Sequence, residues 1–187
     1  MSPLTVFAFA ASLREASWNK KLLAVAARDL EAMGVSVDVF DLKAANIPLY
    51  DEDLLQKQIP AGVADFKARV GKASAVLIVT PEYNYGMPGV LKNVIDWASR
   101  PPPTNPFRGK LCAHIGATPG GGGTIQSQQQ LHHVLSVGVM AWVMPGLGMG
   151  LSQADKAFDP SGALIDPQGK KNLASFLGRF VETLKEW

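Results

Sequence analysis

The chain has 187 residues, 47% hydrophobic and 18% charged, with a formal net charge of +2; these proportions fit one compact domain and exclude a disordered tract. The dispersed positive charge offers no basic stripe for nucleic acid, and a single cysteine, Cys112, forms neither an internal disulfide nor, without other thiols, a zinc or iron–sulfur site. No run reaches the roughly 18 to 20 uninterrupted apolar residues of a membrane span, and the apolar stretch 3–11 lacks the basic flank of a signal peptide, so the expected location is the cytoplasm.

Residues 5–10 (TVFAFA) read as a strand buried on both faces. From 19 to 33 the apolar positions Leu22, Val25, Ala26, Leu30 and Met33 recur at helical spacing, and Gly34 stands where a glycine ends a helix. Residues 35–40 (VSVDVF) alternate like a strand near a sheet edge. The irregular, Pro-punctuated segment 46–55 (NIPLYDEDLL) belongs to a long connection, of a kind more often functional or interfacial than idle. A weaker helical stretch, 63–70, then leads to the buried-strand run 75–80 (AVLIVT). Pro88 and Gly89 open a helix over 90–98, and residues 101–106 (PPPTNP) form an ordered surface excursion. Strands at 111–117 and 139–144, a helix at about 125–135 and a closing helix marked by Leu173, Phe176, Leu177, Phe180 and Leu184 complete the pattern. Alternating strands and helices predict a single α/β domain over residues 1–187, a flavodoxin-like doubly wound five-stranded parallel sheet of order 2-1-3-4-5 with helices on both faces.

In such a sheet ligands bind beyond the carboxyl ends of the strands where strand order reverses, so the loops after strands one, three and four converge. The first loop, 11–19 (ASLREASWN), combines the hydroxyls of Ser12 and Ser17, the guanidinium of Arg14 and the amide of Asn19 ahead of a helix N-terminus, a donor set suited to a phosphate monoester. It carries neither the P-loop pattern nor GxGxxG, which favours one terminal phosphate such as that of FMN over a triphosphate or dinucleotide. On this loop alone, a capped helix start with a solvent-exposed arginine accounts for the residues equally well. The second loop, 81–89 (PEYNYGMPG), offers a tight backbone beside two tyrosines, as a flavin edge requires, and also reads as a turn with two packed rings. The third, 118–123 (TPGGGG), suits a close backbone approach to a ligand or a flexible surface turn.

These residues carry a resemblance. SLRxxSxN at Ser12, Leu13, Arg14, Ser17 and Asn19, IPLYDEDL at 47–54, and above all PEYNxxxPGxLKNxIDWxSRP at 81–101 are similar to the NADPH-dependent FMN reductase family, which includes bacterial chromate and quinone reductases. The resemblance implies that Ser12, Arg14, Ser17 and Asn19 hold the FMN phosphate, that Pro81, Glu82, Tyr83 and Asn84 line the isoalloxazine ring, and that Thr118 and Gly120 complete the site. It implies a homodimer or homotetramer in which the partner chain borders the flavin through the 46–55 segment. It further implies an NADPH or NADH donor and a small-molecule electron acceptor (a quinone, free flavin, azo compound or chromate), reduced by ping-pong hydride transfer through flavin N5 with no protein nucleophile. Three departures stand out: Ala11 for a glycine, Gly86 for a serine, and Ile125 where GGxRxQ places arginine.

Other readings are narrower. His114 lies in an apolar strand and His132 and His133 on a helix, so they read as structural; Cys112 reads as a buried inert thiol, and Asp96 with Arg100 as an i, i+4 pair. Trp97 and the cluster Leu49, Tyr50, Leu54 and Leu55 read as either core or subunit contact. The alternatives to an enzyme are a flavodoxin-type electron carrier, which the mildly basic charge disfavours, and a non-catalytic FMN-binding protein.

Overall fold

The computed structural model describes residues 4–146 and 148–187. In chain order the elements are β1 (Thr5–Ala10), α1 (Trp18–Ala32), β2 (Ser36–Phe40), α2 (Glu52–Lys57), α3 (Ala61–Lys72), β3 (Ala75–Val79), α4 (Gly89–Ala98), β4 (Leu111–Ala117), α5 (Ile125–His133), β5 (Trp142–Val143), β6 (Met149–Leu151), α6 (Ala154–Ala157) and α7 (Pro167–Glu186). The strands pair in parallel in the order β2-β1-β3-β4-β5, which is the expected doubly wound order.

One refinement concerns the fifth position, where two short strands share the flank of β4. β5 pairs with Leu111 and Cys112, and β6 with Ile115 to Ala117. The chain at 139–141 is occupied in closing a π turn (Val134–Gly138), with the Val139 and Ala141 N–H groups donating to the Val134 and Leu135 carbonyls. Pro145 then removes a ladder donor, and Gly146 bends the backbone at φ 82°.

Side-chain alternation along the central strands divides the core. Val6, Ala8, Leu77 and Val79 face α1 and α7, meeting Leu22, Leu30, Leu173 and Leu177. Phe7, Phe9, Val76 and Ile78 face the opposite layer, meeting Phe66, Leu91, Ile95 and Leu131. Phe66 stands edge-on to Phe7, Phe9 and Phe40 with ring centroids 5.2 to 5.3 Å apart, a favoured aromatic geometry. No helix among the described residues is long and apolar enough to cross a membrane.

Local chemistry explains the helix ends. Ser17 Oγ accepts the Asn19 N–H at 3.2 Å and starts α1, and Gly34 at φ 82° ends it. The 46–55 segment is less irregular than its prolines suggest, because Asp51 caps the short α2 by accepting the Asp53 N–H at 2.8 Å. The stretch before it is clamped to α4: Asn93 accepts the Tyr50 N–H at 2.7 Å, while Asn93 Nδ2 and Trp97 Nε1 both donate to the Pro48 carbonyl. Trp97 is thus core, whereas Leu49 is 82% exposed. Asp96 does not pair with Arg100 as expected; Lys92, one turn earlier on α4, takes both its oxygens at 2.7 and 2.9 Å.

Candidate active site at the carboxyl edge of the sheet

A cleft of about 400 Å³ opens beyond the ends of β1, β3 and β4, within the size range of small-ligand and cofactor sites. It brings together Ser12, Arg14 and Ser17 from the first loop, Asn19 from the start of α1, Pro81, Glu82 and Tyr83 from the second loop, and Thr118 from the third. Asn84 and Gly120 lie outside its lining: Asn84 occupies the exposed turn after Tyr83, and Gly120 is exposed beside Thr118, whose Oγ1 accepts its N–H at 3.2 Å. Trp18, Ala117 and Pro119 join the wall without having been singled out from the sequence. Trp18 was legible only as the residue between two expected ligands; its stacking on Phe158, with centroids 6.0 Å apart and planes at 13°, has no local signal.

The first loop has the makings of an anion site. Ser12 and Ser17 are buried, and the Ser17 hydroxyl hydrogen remains available after its oxygen has capped the helix. Arg14 is exposed and forms no ion pair among the described residues. The adjacent Glu15 is turned instead onto Lys43, whose hydrogen bond and charge hold that carboxyl below its usual range. A free guanidinium therefore stands ahead of the N-terminus of a 15-residue helix.

Asn19 takes a different part. Its Nδ2 donates to the Ala117 carbonyl at 2.9 Å and its Oδ1 accepts the Ala117 N–H at 2.8 Å, so the carboxamide clasps the start of α1 to the end of β4. One Nδ2 hydrogen is left for a ligand.

Glu82 is also turned away from a purely ligand-facing role. Its Oε2 accepts the N–H groups of Gln126 at 2.8 Å and Ser127 at 3.1 Å, capping α5 from a loop 44 residues earlier. Helix α5 lacks a cap of its own, because Thr124 is left-handed at φ 61° and its side chain accepts no capping bond. The second loop then reverses at Tyr83–Gly86 through reciprocal 3.0 Å backbone hydrogen bonds.

Close approach explains two glycines. A Cβ on Gly116 would run into Thr124 Oγ1 and the Thr80 carbonyl, and one on Gly150 into the Gly123 carbonyl. The third loop is thereby seated against β3 and β6.

The remaining reactive groups lie elsewhere. Cys112 is fully buried, and desolvation pushes its thiol up to about 12. His114 is buried, and desolvation lowers it to about 4 although Gln128 Oε1 sits 3.1 Å from its Nδ1. Among the described residues no group of three or more His, Cys, Asp or Glu side chains is arranged to hold a metal ion.

Comparison with known proteins identifies the family. The chain is 39% identical over 168 residues to an NAD(P)H-dependent FMN reductase of Pseudomonas aeruginosa, covering 90% of this chain and 88% of that protein. It is 34% identical to a 2-hydroxy-1,4-benzoquinone reductase of a Burkholderia species, covering 94% and 93%. The solved structure of FerB, a flavoenzyme NAD(P)H:(acceptor) oxidoreductase from Paracoccus denitrificans, superposes with a TM-score of 0.84 at 33% identity, covering 98% of each chain. The family model described as NADPH-dependent FMN reductase matches residues 4–156, and the chain belongs to that family.

Proposed function

We propose that this enzyme reduces small quinones with electrons from NAD(P)H, in two alternating half-reactions that share the cleft beyond β1, β3 and β4. The observation that carries this reading is Arg14, which forms no ion pair among the described residues, set with Ser12 and Ser17 at the N-terminus of α1 in the same cleft as Pro81–Tyr83 and Thr118. A phosphate at the first loop leaves a planar ring to lie along the second and third, as FMN requires. When bound, FMN supplies the redox chemistry, accepting a hydride equivalent from the nicotinamide and passing electrons to the acceptor.

The chain's own part is to bind and orient. Arg14, Ser12 and Ser17 donate to the phosphate, with the residual Nδ2 hydrogen of Asn19 beside them. The 81–83 backbone and Thr118 border the ring, and Glu82 fixes that backbone relative to α5. The exposed rings of Tyr83 and Tyr85 leave an aromatic approach for planar acceptors. The Burkholderia relative, named for reducing a hydroxybenzoquinone, supports this acceptor class. A homodimer completes the proposal, with the rigidly clamped 46–55 segment presenting Leu49 to the partner chain.

Purified protein reconstituted with FMN tests the reading in a steady-state panel of benzoquinone, free FMN, an azo dye and chromate, with NADPH or NADH as donor. Benzoquinone turnover without any partner protein is the expected result. Failure to turn over any acceptor while FMN stays bound would leave the electron-carrier reading in its place. Light scattering at micromolar concentration tests assembly, and a mass of one chain would remove the dimer.

A further inference from the structure

The backbone at the second loop reverses with two non-glycine residues in the left-handed region, Asn84 at φ 51° and Tyr85 at φ 61°. Asparagine tolerates this conformation, but an aromatic residue adopts it only when its surroundings impose it. The reciprocal Tyr83–Gly86 hydrogen bonds close the turn without fixing its attitude to the rest of the cleft.

The restraint comes from α5. Ahead of the turn, Glu82 binds the Gln126 and Ser127 N–H groups, and the Thr80 hydroxyl lies 3.0 Å from that of Ser127. Behind the turn, Gln130 Oε1 accepts the Met87 N–H at 2.8 Å. One helix therefore grips the turn on both sides. The grip behind is closely fitted, since a Cβ on Gly86 would stand 3.2 Å from Gln130 Oε1. A methyl group at 86 would oblige that oxygen to give by a few tenths of an ångström.

We propose that Gln130 is a positioning residue for the flavin cleft: by holding the Met87 N–H it keeps the strained Tyr83–Gly86 turn, and Tyr83 with it, in the geometry that meets FMN, and Gly86 is its steric counterpart. The inference rests on the cleft being the FMN site. Gln130 does not line the cleft itself, so its effect passes through the loop.

The test compares wild type with Gln130→Ala, Gln130→Glu, Gly86→Ala and the Gly86→Ala/Gln130→Ala double variant. Amide hydrogen exchange at Met87 is read in the apoprotein, FMN affinity by fluorescence titration, and global stability by urea unfolding. Gln130→Ala is expected to speed Met87 exchange about tenfold and weaken FMN binding roughly three- to tenfold, the worth of one hydrogen bond, while the folding equilibrium read by urea falls by no more than that same factor of about ten. Gln130→Glu keeps an acceptor oxygen at the same reach and restores both readouts. Gly86→Ala weakens FMN in the wild-type background but adds nothing once Gln130 is alanine, because the atom it crowds is gone.

Wild-type exchange and affinity in Gln130→Ala, or a Gln130→Glu variant as impaired as the alanine, overturns the proposal. So does an additive effect of Gly86→Ala. A wild type that takes up no FMN overturns the flavin half and the cofactor reading together, and Met87 exchange in the apoprotein then decides the brace by itself.

Discussion

Asn19 offers the sharpest test of how the cleft is built. Its carboxamide makes two buried hydrogen bonds, at 2.9 and 2.8 Å, to the backbone of Ala117, the last residue of the fully buried β4. Replacing it with aspartate keeps the shape but puts an acceptor oxygen where Nδ2 faces the Ala117 carbonyl. That loses a bond worth about 1 kcal/mol and leaves a buried acceptor unpaired at about 1 to 3 kcal/mol more. Asn19→Ala frees both partners and loses both bonds, for a total of roughly 2 to 5 kcal/mol. Urea unfolding of the FMN-free protein measures these losses without any contribution from the ligand. A chain of this size has an expected shift of about 2 to 4 °C in midpoint per kcal/mol, so both variants separate clearly from wild type in a thermal scan. If Asn19 acts solely as a phosphate ligand, both variants weaken FMN binding and leave the apoprotein within about 0.5 kcal/mol of wild type, a scatter ordinary for neutral substitutions. That pattern would refute the clasp.

Arg14→Ala should weaken FMN binding by roughly 1.5 to 3 kcal/mol, about 10- to 150-fold, through loss of one charge-assisted bond, with apoprotein stability unchanged; FMN retention on dialysis reads the difference. His114 titrates at about 4 in the native chain against an ordinary value of 6.5, so the folded state binds its proton less readily than the unfolded chain. Its contribution is therefore whole above about pH 6.5 and lost as pH falls toward 4, a decline of roughly 3 kcal/mol. Unfolding curves across that window should show the slope in wild type and lose most of it in His114→Gln, which retains a donor for Gln128. Gly116→Ala should destabilise by about 1 to 3 kcal/mol by overpacking against Thr124 and the Thr80 carbonyl, measured by the same unfolding. Cys112, buried and pushed up to about 12, should resist iodoacetamide at pH 8 in the native protein and react on unfolding in urea.

Local patterns proved legible, and contacts between distant segments did not. The strands at Thr5–Ala10, Ala75–Val79 and Leu111–Ala117 announce themselves because a strand covered on both faces must be apolar throughout. Ser17 and Gly34 mark the ends of α1 by chemistry confined to a few residues. Asn19, expected in the first loop, belongs to the first turn of α1, and its tie to Ala117 spans 98 residues and leaves no trace in its neighbours. The same holds for Glu82, whose partners at 126 and 127 become visible only once the sheet has brought β3 beside β4. The strand expected at 139–144 was overread for a related reason: its apolar residues Val139 and Ala141 are buried against the second core layer but spend their N–H groups on the π turn.

These distant ties have a common consequence for binding. Each loop of the cleft is fastened to a rigid element elsewhere: the first to β4 through Asn19, the second to α5 through Glu82, and the third to β6 and the start of α6 through Thr118 and Gly120. In the third loop, the Thr118 N–H donates to the Leu151 carbonyl, the Ala154 N–H to the Thr118 carbonyl and the Gln153 N–H to the Gly120 carbonyl. A site fastened at so many points holds its backbone donors in place before any ligand arrives, which lowers the ordering cost of binding. Arg14 is the exception, an exposed guanidinium with no ion pair among the described residues. Ordering at the site then falls mainly on that one side chain. On the proposed function, phosphate capture by Arg14 would follow from charge attraction toward a preformed cradle, and the ring would settle against loops that the rest of the fold already holds still.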